Sequence, residues 1–431
     1  MSIEFLWCLA ALFALAAIGA PIAHAILVAA LVYLAASGQS VGIAGKVMLD
    51  GLYNGFVLLA VPLFILAANV MNAGTISDRL LAFCVALVGR FRGGLGHVNI
   101  IASLIFSGMS GSAVADAAGP GKIIIGMMTR SGHYARGYAA AITAASATIG
   151  PIIPPSIPMV LYALVSNSSI GYLFLGGIVP GLIMAAVLMV MNAIISHRRG
   201  FALEPAVPLR ELPARTRAAM PALLMPAILL YGIYGGLTTP TEAAAVAAAY
   251  ALVLAAGFYR ALSLRGLWDI LIESARSSAA VGLVIGGALV LNYVVASENI
   301  PGVMARALAG LEVHPLLFLL GVNLLLLALG CVLDATTLIL VIIPLFLPAA
   351  RELGIDLVHF GVVAVVNCMI GLITPPYGIL LFVVTGVTRI PLIEIIREIW
   401  PFILALLLAL GAMILFPGIV LMLPRQFGYE G

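Results

Sequence analysis

Apolar runs follow one another along the whole chain, and one strongly polar stretch, residues 197–217, interrupts them. Soluble domains are about half apolar and about a quarter charged. Here 64% of residues are hydrophobic and 9% charged, with a mean hydropathy of +1.22. A water-soluble fold has no interior large enough for this surface, so lipid is the solvent. Runs such as GLIMAAVLMVMNAII (181–195) are continuous, whereas strands of a membrane barrel alternate in segments of about ten residues. The class that follows is an all-α polytopic membrane protein. The start MSIEFLWCLAALFALAAIGA lacks a basic leading region and reads as a retained helix.

Several runs are too short to span. About 20 helical residues cross a hydrocarbon core near 30 Å, and eleven cover about 16 Å. The run 97–109 therefore pairs with 120–129, and 315–330 with 337–350, as limbs of two re-entrant hairpins, about 97–129 and about 315–350. Their polar tips are SGMSGSAVADAAG (107–119) and CVLDATT (331–337). Spanning runs are expected at 3–20, 21–37, 52–72, 172–195, 219–236, 241–259, 278–297 and 400–423, and two longer segments at 137–165 and 357–387.

Residues 197–217, with five arginines, divide the chain into halves 1–196 and 218–431 that share a pattern. Ile149-Gly150-Pro151-Ile152-Ile153-Pro154-Pro155 aligns with Ile370-Gly371-Leu372-Ile373-Thr374-Pro375-Pro376, with the same residue at five of the seven positions. Pro21 and Pro240 mark equivalent helix starts, and Asp116 and Asp334 precede the two motif glycines at nearly the same spacing. Three features in one order indicate an internal duplication. With 197–217 in the cytoplasm, thirteen arginines between Arg90 and Arg397 fall on that side, leaving Lys46, Arg306, Arg351 and Arg425 near helix ends on the other. That satisfies the positive-inside rule. It requires five full crossings per half, so the second copy is inverted and both termini face away from the cytoplasm.

The motifs IGPIIPPSIP and IGLITPPYG lie mid-segment. Paired prolines remove two backbone donors and bar the preceding residue from helical dihedrals, so the helix opens and frees carbonyls. A single site of this kind reads as a proline kink. Two at matching positions, each beside a polar hairpin, are the pattern of a transport site built from discontinuous helices. Hydroxyl, backbone and carboxylate oxygens at Ser107, Ser110, Ser112, Asp334, Thr336 and Thr337, with Gly108 and Gly111 admitting close approach, suit a hard cation. Asp116 is open to a second reading, neutralisation by Lys122 six residues on. Asn292 and Asn323 read as interhelical hydrogen-bonding residues, and Glu242 as a carboxylate at a helix start.

Other chemistries are disfavoured. The formal charge of +3 is dispersed, with no basic cluster interleaved with aromatics for nucleic acid. Cys8, Cys84, Cys331 and Cys368 are isolated, and six histidines lack metal spacing. The string Ala-Gly-Pro-Gly-Lys-Ile (118–123) resembles a phosphate loop but has Asp116 and Ile123 where a Walker A motif needs Gly and Ser or Thr. No organic cofactor is expected, and the energy source is an ion gradient. A channel and an intramembrane enzyme are the rival classes.

The block FSGMSGSAVADAAGPGKIIIGMMTRSGHYARGYAAAITAASATIGPIIPPSIPMVLYA (106–163) resembles the large membrane subunit of TRAP transporters, the DctM-like family. So do GAPIAHAI (19–26), TTPTEAAAVAA (238–248), DATTLILVIIPLFLP (334–348) and GLITPPYGILLFV (371–383). The resemblance implies a bacterial inner-membrane permease with a separate small four-helix membrane subunit and an extracytoplasmic solute receptor. It implies sodium-coupled organic-acid uptake by an elevator movement of the domain bearing both hairpins; the alternative is another ion-coupled secondary carrier working without a receptor. Sodium would lie near Ser110, Ser112, Gly150 and Pro151 in one half, and near Asp334, Thr337, Gly371 and Thr374 in the other. The substrate path would be lined by Ser107, Gly108, Asp116, Pro154, Pro155, Thr336, Pro375 and Pro376.

Overall fold

The computed structural model of the chain describes all residues except 1, 73–74, 204–206, 301 and 303–313. Arg306 and the centre of the polar linker thus lie outside the described residues. Among those described the fold is helical, and the pairing of Arg92 with Leu203 is an isolated β-bridge.

Elements begin and end where backbone chemistry dictates. Helix α1 (Ile3–Ala17) starts at Ser2, whose hydroxyl accepts from the Phe5 amide, and α2 (Ile22–Ala36) starts directly after Pro21. Helix α3 (Gly42–Asn54) meets α4 (Phe56–Asn72) at a bend of 71°. Gly55 sits at this bend with ψ of 66°, far from helical. The expected span 52–72 is therefore the second arm of a bent pair that begins ten residues earlier. Next come α5 (Thr75–Val88), α6 (Gly94–Ser110), α7 (113–131), α8 (Arg136–Ala147), α9 (Ile157–Ser166) and α10 (Ile170–Arg198).

After the linker follow α11 (Leu212–Tyr234), α12 (Pro240–Phe258), α13 (Leu264–Ser297), α14 (Pro315–Gly330) and α15 (Ala335–Glu352). The chain continues through α16 (Leu357–Gly371), α17 (Ile379–Thr388), α18 (Leu392–Leu415) and α19 (Gly418–Gln426). Among the described residues six helices are long and apolar enough to cross a membrane, or seven if α3 and α4 count as one span.

Two expected spans have other boundaries. Helix α13 begins at Leu264 rather than near 278. Its first turns carry Glu273, Ser274 and Ser277, which lower the hydropathy without ending the helix, because Ser274 is buried and accepts a 2.9 Å hydrogen bond from Asn69. The run 400–423 is split between α18 and α19 at Phe416 and Pro417, where proline cannot donate to continue the ladder. Glu242 closes a reciprocal capping box with Thr239 at the start of α12, with bonds of 2.7 and 3.3 Å.

The elements of the two halves keep one spacing. α6 and α14 begin at Gly94 and Pro315, α8 and α16 at Arg136 and Leu357, α9 and α17 at Ile157 and Ile379, a separation constant to within one residue. Both α7 and α15 carry one π-helical turn, at Ala117–Gly121 and Leu338–Ile342. Helices α8 and α16 form the centre: Gly137–Ala147 and Val358–Gly371 are buried at every position. A helix apolar on all faces has to be surrounded by others. The small side chains of α8, mostly Ala, let its neighbours approach closely.

Candidate functional site

The first turn joins α6 to α7. Gly111 ends α6 with φ of +59°, and a Cβ there would stand 2.5 Å from the Pro155 carbonyl oxygen, so only glycine satisfies both the dihedral and the approach. Ser112 caps α7, its hydroxyl accepting from the Ala115 amide at 3.3 Å. Ser110 Oγ donates to Asp116 Oδ1 at 2.5 Å. Asp116 is 3% exposed, and its second oxygen, Oδ2, has no hydrogen-bond partner. It faces Gly150, where a Cβ would collide with it. Lys122 is exposed, and the ion pairs among the described residues are Arg199–Glu398 and Arg215–Glu211, so Asp116 is not neutralised by Lys122.

The break between α8 and α9 spans the first proline motif. Ser156 caps α9 by accepting from the Met159 amide at 3.2 Å, and its hydroxyl donates back to the Pro151 carbonyl. The Pro154–Pro155 and Pro375–Pro376 peptide bonds are both cis.

The second half repeats the plan with other side chains. Asp334 caps α15: its Oδ2 accepts from the Thr337 amide at 3.2 Å and its Oδ1 from the Thr337 hydroxyl at 2.5 Å. Gly330 and Gly371 pass so closely that a Cβ on Gly371 would stand 2.8 Å from the Gly330 Cα. The Gly378 amide, at the start of α17, donates to the Cys331 carbonyl at 3.1 Å, fastening the break to the turn. Thr374 Oγ1 donates to the Ile370 carbonyl at 2.7 Å.

The two turns and both broken helices meet at one cavity of about 680 Å³. Ser110–Ala113 and Asp334–Thr336 line it from the turns, Pro151 and Ile157 from the first break, and Leu372 and Ile379 from the second. The N-terminal residues of α7, α9, α15 and α17 therefore all face one space. Each helix N-terminus leaves amides without intrahelical partners and carries about half a positive charge. No Lys, Arg or His lines the cavity among the described residues, while Asp334 and Glu273 do. An anion there would be met by helix ends rather than by a basic side chain. The partner helices α6, α8, α14 and α16 end beside the same turns with their C-terminal carbonyls, the polarity a cation needs.

The other expected residues do not line the cavity. Ser107 is buried and donates to the Leu104 carbonyl in its own helix at 2.6 Å. Gly108 packs against α11, where a Cβ would stand 2.5 Å from Pro226 Cγ. Asp116, Gly150, Pro154, Pro155, Thr337 and Gly371 are buried off the cavity wall, Thr374 and Pro375 are half-buried off it, and Pro376 is exposed. Sequence reasoning missed the opposite wall, where Asn69 and Asn72 of α4 and Glu273 and Ser277 of α13 line the cavity. The available signal was the group of polar residues at 269–278, which delayed the expected start of α13.

Comparison with known proteins agrees with this architecture. Residues 9–419 match the family "Tripartite ATP-independent periplasmic transporter, DctM component". The chain is 43% identical over 413 residues to the sialic acid TRAP transporter large permease protein SiaM of Vibrio cholerae, covering 95% of this chain and 96% of that one. It is 41% identical over 373 residues to the C4-dicarboxylate TRAP transporter large permease protein DctM of Pseudomonas aeruginosa, covering 86% and 87%. The solved structure of the Alcanivorax borkumensis YdaH transporter shares the fold, with a TM-score of 0.61 at 16% identity, covering 86% of this chain and 87% of that one. The chain belongs to the DctM component family, the large membrane permease subunits of tripartite ATP-independent periplasmic transporters.

Proposed function

We propose that this permease couples uptake of an organic acid to a sodium gradient. The single observation that carries the reading is the convergence of four helix N-termini, from both halves, on one cavity without a basic side chain among the described residues. Helix N-termini favour a carboxylate, and the neighbouring helix C-termini favour a small hard cation. Sodium ions would bind between each turn and its break: Ser110, Ser112, Gly150 and Pro151 on one side, Asp334, Thr337, Gly371 and Thr374 on the other. The buried, half-satisfied carboxylate of Asp116 supports a cation close to Gly150. The halves 1–196 and 218–431 would be inverted copies, and the domain holding both hairpins would move as an elevator against α4 and α13.

DctM permeases work with a small membrane subunit and a periplasmic solute-binding protein. For this chain we propose a separate small subunit, a receptor that delivers the solute, an inner-membrane location, a cytoplasmic linker at 197–217 and both termini in the periplasm. An enzyme would return an altered solute and a channel would not saturate; a carrier returns the solute intact and saturates.

The test is uptake of a receptor-bound, labelled carboxylate into proteoliposomes holding the permease with its small subunit. Uptake should require an inward sodium gradient, and Asp334→Ala should lose that dependence. Equal uptake with potassium in place of sodium at fixed pH would refute the coupling.

A further inference from the structure

Each half holds its hairpin against its broken helix with buried polar side chains at positions that match to within one residue. In the first half Ser103 of α6 donates to Ser146 of α8 at 3.0 Å, and Ser146 reaches Asn99 Oδ1 at 3.1 Å. In the second half Asn367 Nδ2 of α16 donates to both the backbone carbonyl and the Oδ1 of Asn323 in α14, at 2.6 and 2.7 Å. Ser103 and Asn323 each stand seven residues before the end of their helix, at Ser110 and Gly330. Ser146 and Asn367 each stand four residues before the motif glycine, Gly150 or Gly371. All four side chains are buried; in the first half they belong to a polar cluster completed by Asn99 and Thr143, where Asn99 Nδ2 of α6 donates to Thr143 Oγ1 of α8 at 2.5 Å.

Aliphatic contacts are not directional, so alone they define the height of one helix against another less sharply than a hydrogen bond does. A hydrogen bond is directional and fails within a few tenths of an ångström and a few tens of degrees. Such bonds, about 10 Å from the turn and about 6 Å from the break, define the height of one against the other. The chemistry differs between the halves, hydroxyl in one and amide in the other, while the location is kept. The close passages at Gly111–Pro155 and Gly330–Gly371 act in the same sense at the turns themselves.

We infer that Ser103–Ser146 and Asn323–Asn367 are positioning pairs: they set each hairpin turn against its break, and through that spacing the cation affinity of their half. The inference rests on the proposed sodium coupling and names residues that need not touch the ion. The test uses the permease co-purified with its small subunit, with melting temperature followed against sodium at ionic strength held constant with potassium. Asn367→Leu, and the double variant Thr143→Val with Ser146→Ala, which removes the side-chain bonds from α8 to Asn99 and Ser103, should each raise the sodium concentration for half-maximal stabilisation about fivefold or more. Tyr138→Phe, which removes a buried 2.6 Å bond to Asn192 remote from both turns, should lower the melting temperature and leave that concentration unchanged. If Asn367→Leu does not fold, the double variant decides the matter for the first half and the smaller Asn367→Ala, which removes both bonds to Asn323, for the second. Half-saturation within twofold of the wild type in the folded variants overturns the inference while leaving the coupling intact. A wild-type melting temperature indifferent to sodium refutes the coupling, and the inference with it.

Discussion

At the scale of single residues, glycines divide by what surrounds them. A Cβ on Gly371 meets Gly330 Cα at 2.8 Å, a backbone atom that no side-chain rotation can move. Gly371→Ala should therefore lower stability by about 1–3 kcal/mol through overpacking. Gly411, inside α18, has nothing within 4 Å of such a carbon, so Gly411→Ala should be neutral or stabilising by up to ~1 kcal/mol from helix propensity. Thermal unfolding of the two variants in one detergent checks the contrast; equal shifts would contradict the close glycine passage. The motif glycines were legible in the sequence as exceptional because they recur at matching places in the two halves. Their neighbours were not legible, since Gly330 and Gly371 belong to different helices, α14 and α16, and meet only through packing. Asp116 shows the same limit: its local partner by sequence, Lys122, turns outward, and its actual neighbours are Ser110 and Gly150.

At the scale of elements, each broken helix needs a device to restart. In the first half Ser156 caps α9 and also holds Pro151. In the second half Gly378, with φ of +56°, offers no side chain, and its amide bonds to Cys331 across the turn. Ser156→Ala should cost about 0.5–2 kcal/mol as a lost N-cap. Faster amide exchange in 157–166, with α17 unaffected, is the measurement that reads it; uniform exchange in both arms would argue against a local cap. Hairpin limbs and proline breaks were readable from run length and proline chemistry. The start of α13 was not, because a helix whose polar residues face a cavity and a buried serine has the hydropathy of a loop.

At the scale of the whole molecule, two turns from opposite halves of the chain, at Ser112 and Asp334, open on one cavity. Single cysteines replacing Ser112 and Thr336 should consequently react with a membrane-impermeant maleimide from the same side under any one ionic condition. The four native cysteines are buried and should give little background. Labelling of the two positions from opposite sides at once would exclude a shared cavity. The sequence by itself determined the solvent, the helical class, the duplicated pattern and the two places where helices break, because hydropathy, run length and proline geometry are local properties. Tertiary structure alone decided which polar groups face the cavity, that Asn69, Asn72, Glu273 and Ser277 complete its wall, and that four helix N-termini converge there. Those are matters of direction between segments far apart in the chain, and direction is set by packing.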